Sequence, residues 1–402
     1  MTGSYRAFGV LNPPVGNLAS KLAMAAAGCT HIALQAQWSS LQPNGAGTSL
    51  DPTAVASLIQ EYADSATARL AVMLEVAVHY PPAWAVSAIE GYTDQFGNVY
   101  SNSTPNSGMQ VVNWMWTALG WTYVADFIGK LAAALGPALL AQTAAIKCGG
   151  GYYGELHYPQ TVSVITLQPS VWAYGASMQT GTGLAAGQSV CPLPGYTIWS
   201  GTDAQDCQLI NWYANGLATW LAYFIATMRA AGWACDYHVC HPGYGTRSNQ
   251  LRSAAAYRAS IAAGEDPLRM IGSYAHDPQI WPYSTWLNTA DGFDTPVQDS
   301  DIAAWKKIYE EAYRWNKHYK LWGENTGGES TTQMGQIFLG YSKGSALSGS
   351  SVDFGSTPPL PPAQTFGFQG CFWLNYASLI TGGTQASLSD YAANIAAHTA
   401  TI

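Results

Sequence analysis

Residues 146–159 read Ile-Lys-Cys-Gly-Gly-Gly-Tyr-Tyr-Gly-Glu-Leu-His-Tyr-Pro. The stretch begins as a short apolar strand, passes through three consecutive glycines and delivers one carboxylate, Glu155, among aromatic rings and a histidine. Glycine lets the backbone bend there at low steric cost. The exposed end of a strand is where an α/β scaffold collects its chemistry. A second stretch, Lys320–Gly328 (Lys-Leu-Trp-Gly-Glu-Asn-Thr-Gly-Gly), places Glu324 in the same relation to a strand of its own.

Outward from these two stretches, short apolar runs alternate with longer helical patterns, which argues for a parallel sheet with helices outside it. The expected strands are Ala7–Leu11, His31–Trp38, Leu70–His79, Ala144–Gly149, Cys235–Cys240, Arg269–Tyr274, Tyr319–Gly323 and Gly367–Leu374. Helices are expected over Leu18–Gly28, Pro52–Ser65 (with Asp51 as N-cap), Val111–Leu135 (broken near Gly120), Leu209–Ala231, Leu251–Ala263, Asp301–His318 and Ser387–Ala397. Eight β/α repeats with no linker between domains predict one (β/α)8 TIM barrel spanning residues 1–402, with long inserted loops. The loops Ala85–Gly108, Gln160–Asp206 and Ser342–Pro362 are expected to shape whatever site the barrel carries.

Composition narrows the chemistry. Of 402 residues, 10% are charged and 12% aromatic, with 16 Trp and 24 Tyr. Many of those rings belong to the core of any large barrel, and the rest suit stacking on sugar faces. A net charge of −8 disfavours nucleic acid or an anionic membrane as partner. No apolar run is expected to reach the ~18 residues of a membrane span. Met1–Pro14 lacks the basic start and apolar centre of a signal peptide, so export is expected by another route or after removal of a leader. A secreted or virion-associated setting is favoured over the cytoplasm. Seven cysteines are scattered without a metal-binding spacing; Cys191 and Cys207 could pair across a Pro/Gly-rich loop, and the others read as buried thiols.

Two glutamates at the ends of two distant strands are what glycosidic bond hydrolysis requires, one as general acid/base and one as nucleophile or base. Glu155 is the expected acid/base and Glu324 the expected nucleophile, with Glu329 as the competitor of the latter. Carboxyl groups ~5–5.5 Å apart would mean retention of configuration, and ~6.5–9.5 Å inversion. Glu75, inside the third strand, is read as the ion-pair partner of Lys147, because an unpaired buried charge is costly. No Ser-His-Asp order or phosphate-cradling loop stands out; Gly149–Gly151 lacks the Lys-Ser/Thr of a P-loop. His157, His238, His241 and His276 match no metal-ligand spacing, and Asp236 and Asp277 remain spare carboxylates. No cofactor is expected.

At these positions the chain resembles the clan A glycoside hydrolases, in particular family-42 β-galactosidases and β-amylases. Trp38-Ser39-Ser40-Leu41-Gln42-Pro43 resembles the W-S-x-L-E-P turn of such enzymes, and Pro81-Pro82-Ala83-Trp84 the P-P-x-W of family 42. Gly154-Glu155-Leu156-His157-Tyr158-Pro159 resembles the G-E-L-R-Y-P of β-amylases, whose glutamate is the general acid. The resemblance implies that Trp373 lies under the sugar and that Tyr274, at the sixth strand end, holds the nucleophile. Clan A members usually carry Asn before the acid/base, where this chain has Gly154, and the W-G-E-N setting of Glu324 is not that of the β-amylase base.

The residues expected to touch substrate are Trp38, His79, Tyr80, Trp84, His157, Tyr158, His238, Tyr274, Asn325 and Trp373; His276 falls near the same strand ends. The expected function is hydrolysis of an oligo- or polysaccharide, such as a cell-envelope glycan, with retention by analogy of strand positions. The likeness to β-amylases keeps inversion open. The alternatives are a non-catalytic carbohydrate-binding barrel of a surface or phage-tail assembly, and transglycosylation by the same residues.

Overall fold

Short runs rich in apolar residues bury both faces when they pair as a parallel sheet covered by helices. In the computed structural model of the chain eight such runs do so. It describes residues 7–11, 13–100, 111–159, 170–242, 264, 266–285, 308, 311–312, 314–317, 320–325, 330–332, 334–335, 338, 369–373, 376–381 and 385–399. The strands are β1 (Ala7–Leu11), β2 (His31–Gln37), β3 (Ala71–Ala77), β4 (Thr143–Cys148), β5 (Asp236–His241), β6 (Ile280–Ser284), β7 (Trp322–Glu324) and β8 (Gly370–Trp373). Their order is a closed barrel, β1 through β8. The pairs β1–β2, β1–β8, β4–β5, β6–β7 and β7–β8 are parallel. This is the (β/α)8 architecture expected from the alternation of segments.

By backbone proximity the chain falls into two compact units, one of Met1–Leu34, Gln60–Met73 and Ala275–Ile402, the other of Gln35–Ile59 and Leu74–Tyr274. In the first, alternation along the strands sends His31, Trp322 and Phe372 to one side, with ring centroids 5.1 Å (His31–Trp322) and 5.5 Å (Trp322–Phe372) apart. The Phe372 ring occupies the space above Gly9, where a Cβ would sit 2.5 Å from it. On the opposite side, the closing helix Leu388–Thr399 brings the Tyr391 hydroxyl to the strands. It donates to Cys371 O at 2.8 Å and accepts from Gly9 N–H at 3.2 Å. The helix Leu18–Ala26 buries its own Lys21, 3.0 Å from Glu61 and 3.7 Å from Asp64.

The second unit is held by aromatic packing around β4 and β5. Tyr158 stacks on Tyr213 at 3.9 Å, and Trp116 meets Trp212 at 4.9 Å. The helix Asp203–Ala231 carries both Tyr213 and Trp212 and starts with a capping box, Thr202 and Gln205 exchanging side-chain and backbone hydrogen bonds. That box places the helix start six residues ahead of the expected Leu209.

Other expectations are corrected. Arg269–Tyr274 is not the sixth strand but most of a helix, Pro267–Ser273. Asp266 caps it, Pro267 opens it, and the Arg269 guanidinium is fixed by Asn211 and Asn215. The sixth strand is Ile280–Ser284, despite Pro282. The helix expected from Val111 begins at Ala118, capped by Thr117, and breaks at Gly136 (φ 70°) before Pro137 rather than at Gly120. This 25-residue segment is long and apolar enough to cross a membrane by length and composition, which corrects the expectation that no apolar run reaches that length. Its Trp121, Val124, Phe127, Ile128 and Leu131 are buried, as in a helix of a barrel's outer layer. Cys191 and Cys207 are not joined; all seven cysteines are free thiols. The expected helix Leu251–Ala263, much of Asp301–His318, the loop Ser342–Pro362 and Glu329 lie outside the described residues.

Candidate functional site

The turn after β4 is a fold-back that requires glycine at positions 149 and 151. Gly151 N–H donates to Glu155 O at 2.9 Å and Tyr152 N–H to His157 O at 3.2 Å. A Cβ on Gly151 would stand 2.4 Å from both carbonyl oxygens. Leu156 N–H reaches Cys240 O of β5 at 2.8 Å, tying the turn to the neighbouring strand. Between these anchors Tyr153 adopts φ 57°, a left-handed conformation rare for a bulky residue, and is 40% exposed.

The fold-back leaves the Glu155 side chain 15% exposed. Its Oε2 lies 2.9 Å from His157 Nε2, and His157 Nδ1 lies 2.7 Å from the carbonyl oxygen of Tyr158. Gly154 precedes it at φ 78°, and a Cβ there would stand 2.5 Å from Glu75 Oε1 and 2.8 Å from His79 Cε1. A side chain at this position therefore meets filled space, occupied by Glu75 of β3 and His79 just after it.

Those two side chains belong to a buried polar cluster. Glu75 lies 3.8 Å from the Lys147 ammonium and accepts from Gln35 Nε2 at 2.9 Å; Gln37 in turn donates to Gln35. Burial acts to raise the Glu75 pKa, but Lys147, with His79 and Gln35 behind it, brings it below the ordinary carboxylate value. Burial lowers His79 to about 4, against the pull of Glu75, so the imidazole is neutral at neutral pH. Its ring lies 4.4 Å from that of Tyr80.

In the first unit Glu324 is the last residue of β7 and is 6% exposed. Tyr283 Oη donates to its Oε2 at 2.8 Å. The register explains the meeting: Tyr283 pairs with Trp322 on the adjacent strand, and Glu324 lies two residues on, on the same side as Trp322. Glu324 pairs with Phe372 of β8, whose carbonyl accepts from Asn325 N–H at 3.2 Å.

Each expected site residue now has a place. Glu155, His157, His79 and Glu75 belong to the β3–β4 cluster, with Tyr80 half-buried beside them. Tyr274 does not end a strand; it follows the Pro267–Ser273 helix and its hydroxyl meets His241 Nε2 at 2.8 Å. The hydrogen bond expected of it toward Glu324 is made by Tyr283. Trp38 has no exposed surface: its indole N–H donates to Gln42 at 3.0 Å and its ring packs on Phe127. The half-buried Trp84 donates to Gln42 O at 2.9 Å, so the two tryptophan motifs fasten each other. Trp373 is 1% exposed and its ring lies 6.0 Å from Tyr391 of the closing helix, away from the Phe372 side. Tyr158, His238 and Asn325 are fully buried. Sequence reasoning missed Tyr283 and Tyr153; for Tyr283 the signal was the short Ile-Trp-Pro-Tyr-Ser run, masked by its proline. Among the described residues no three His, Cys, Asp or Glu side chains come together as metal ligands.

No protein-family model and no curated protein matches the chain. Solved structures do. The catalytic domain of a β-amylase from Paenibacillus polymyxa superposes with a TM-score of 0.71 at 15% identity, over 99% of each chain. β-Galactosidases from Marinomonas ef1 and Bacillus circulans sp. alkalophilus each give 0.57 at 11% identity. They match over 97% and 98% of this chain, which spans 59% and 56% of theirs. At such identities the likeness is one of fold alone, a (β/α)8 barrel.

Proposed function

We propose that the chain is a single-barrel glycoside hydrolase acting on an oligo- or polysaccharide, with Glu155 as general acid/base and Glu324 as nucleophile. The observation that carries this reading is a matched pair of held carboxylates. Glu155 follows β4 and is gripped by His157; Glu324 ends β7 and is gripped by Tyr283. Each carboxylate thus lies at or beyond the C-terminal end of a parallel strand of its own unit, the kind of position where barrels carry their chemistry. Solved structures of the same fold that cleave glycosidic bonds support the reading without fixing a family.

In the proposed reaction Glu155 gives its proton to the leaving oxygen while the Glu324 carboxylate attacks the anomeric carbon. Water then releases the sugar from Glu324, with Glu155 taking the proton of that water. Retention is the proposed outcome, by analogy of strands four and seven. Hydrogen bonding from Tyr283 steadies the attacking carboxylate without neutralising it.

The test is a panel of aryl glycosides and cell-wall polysaccharides, with reducing-end release measured and the first-formed anomer followed by proton NMR. Hydrolysis with retention is expected. Inversion would reassign Glu324 from nucleophile to base, and glycan binding without turnover would leave a carbohydrate-binding barrel.

A further inference from the structure

The contacts of His157 contain a proton count. Its Nδ1 lies 2.7 Å from Tyr158 O, and a carbonyl oxygen only accepts, so Nδ1 carries a hydrogen. On the far side of the ring Nε2 lies 2.9 Å from Glu155 Oε2. A singly protonated imidazole with hydrogen on Nδ1 offers Nε2 as an acceptor, and a carboxylate offers Oε2 as another. Two acceptors do not hold each other at that distance, so the pair carries one proton between Oε2 and Nε2. The imidazole is 1% exposed, and the Tyr152 ring meets it edge-on at 5.7 Å. Both nitrogens are committed within the protein, and His157 has nothing left to offer a sugar.

We propose that His157 is the positioning residue of Glu155, holding the carboxyl in place and storing the proton that it transfers. The inference rests on the glycosidase reading for its role and on geometry alone for the proton. As the bond from the anomeric carbon to the leaving oxygen breaks, its electron pair goes to that oxygen and the stored proton follows from Oε2. Glu155 carboxylate and Nε2 then face each other as two acceptors, which favours recapture of a proton. In the second step the water attacking the anomeric carbon returns one, and the pair is restored with no net change in protons. Among the described residues, the charged and titratable groups near the pair include Glu75, Lys147 and His79 beside Gly154, and Tyr152 edge-on to the imidazole. None of them provides an alternative donor to His157 Nδ1 or Nε2.

Two measurements test the inference. Nitrogen-15 NMR of histidine-labelled wild-type protein at neutral pH should show Nδ1 of His157 protonated and a slowly exchanging low-field proton on the Nε2 side. Glu155→Gln should abolish that low-field proton, and His157→Gln identifies the signal. An unprotonated Nδ1 would overturn the proposal. Kinetically, His157→Phe and the milder His157→Gln should lower kcat/KM about 10- to 100-fold more on p-nitrophenyl than on 2,4-dinitrophenyl glycosides, because a good leaving group needs little proton assistance. Equal losses on both would mean a structural role only and overturn the proposal. A wild-type protein that cleaves no glycoside would overturn the glycosidase reading instead, and the NMR result would still decide the proton.

Discussion

Tyr283 Oη donates to Glu324 Oε2 across 2.8 Å, both groups buried. A hydrogen bond to a charged group contributes about 1.5–3 kcal/mol. If Glu324 attacks the sugar, Tyr283→Phe should lower kcat/KM about 10- to 100-fold and also destabilise the fold by about 1–3 kcal/mol, because the carboxylate is buried. The Tyr274 hydroxyl meets His241, and Tyr274→Phe should cost about threefold or less. The two variants, assayed side by side on one aryl glycoside, decide which tyrosine serves the carboxylate.

Gly154→Asn puts a side chain directly before Glu155. Here the new Cβ would collide with Glu75 Oε1 at 2.5 Å, and overpacking of a filled site costs about 1–3 kcal/mol. Asn tolerates the left-handed backbone at φ 78°, so sterics and not strain should dominate. The variant should unfold several degrees below wild type and lose activity; differential scanning calorimetry with a rate assay checks both.

The strands most readable in the sequence were those whose apolar run has no competing signal. Ala7–Leu11 has its predicted bounds, and β2 to β5 lie within two residues of theirs. The sixth was misread because Arg-Met-Ile-Gly-Ser-Tyr is as apolar as a strand, while the helix-start signal just before it, Asp266-Pro267, was passed over. Pro282 then hid the true β6, and Tyr283 with it. The break at Gly136-Pro137 was likewise written in the chain as a turn dipeptide, but Gly120 drew the reading instead. What no pattern could tell was which aromatic rings remain available. Trp38, Tyr158 and Trp373 follow strand ends or end strands, as a sugar-binding ring would, yet each is buried. Side-chain direction at a strand end depends on packing partners far along the chain, Phe127, Tyr213 and Tyr391 in these three cases.

Lys147→Met should strand Glu75 as an uncompensated buried charge and cost about 3–5 kcal/mol in urea unfolding. The pH dependence follows from the sign of the Glu75 shift. Its folded-state pKa is below the unfolded value, so its contribution is present above about pH 4.3 and lost as pH falls through the folded pKa. The wild-type protein should therefore lose stability with acid below that range. In Lys147→Met, where burial acts without its chief counterweight, the folded-state pKa rises above the unfolded value and the sign reverses: the variant should recover stability as pH falls through that raised pKa.

Lys21 lies far along the chain from either carboxylate site, buried between Glu61 and Asp64. Lys21→Met leaves two carboxylates facing each other without a cation and should destabilise by about 3–5 kcal/mol. Turnover per folded molecule should stay at the wild-type value. Denaturant titration and active-site-normalised rates separate the two effects.

The central claim is that Glu155 and Glu324 act on the same bond in different roles. Azide rescue of Glu155→Ala and Glu324→Ala on an activated aryl glycoside measures this most directly. The account predicts a glycosyl azide of retained configuration from Glu155→Ala and one of inverted configuration from Glu324→Ala, each variant being impaired at least a hundredfold without azide, on the order of what acid–base catalysis supplies. Wild-type turnover in either variant, or the same anomer from both, would contradict it.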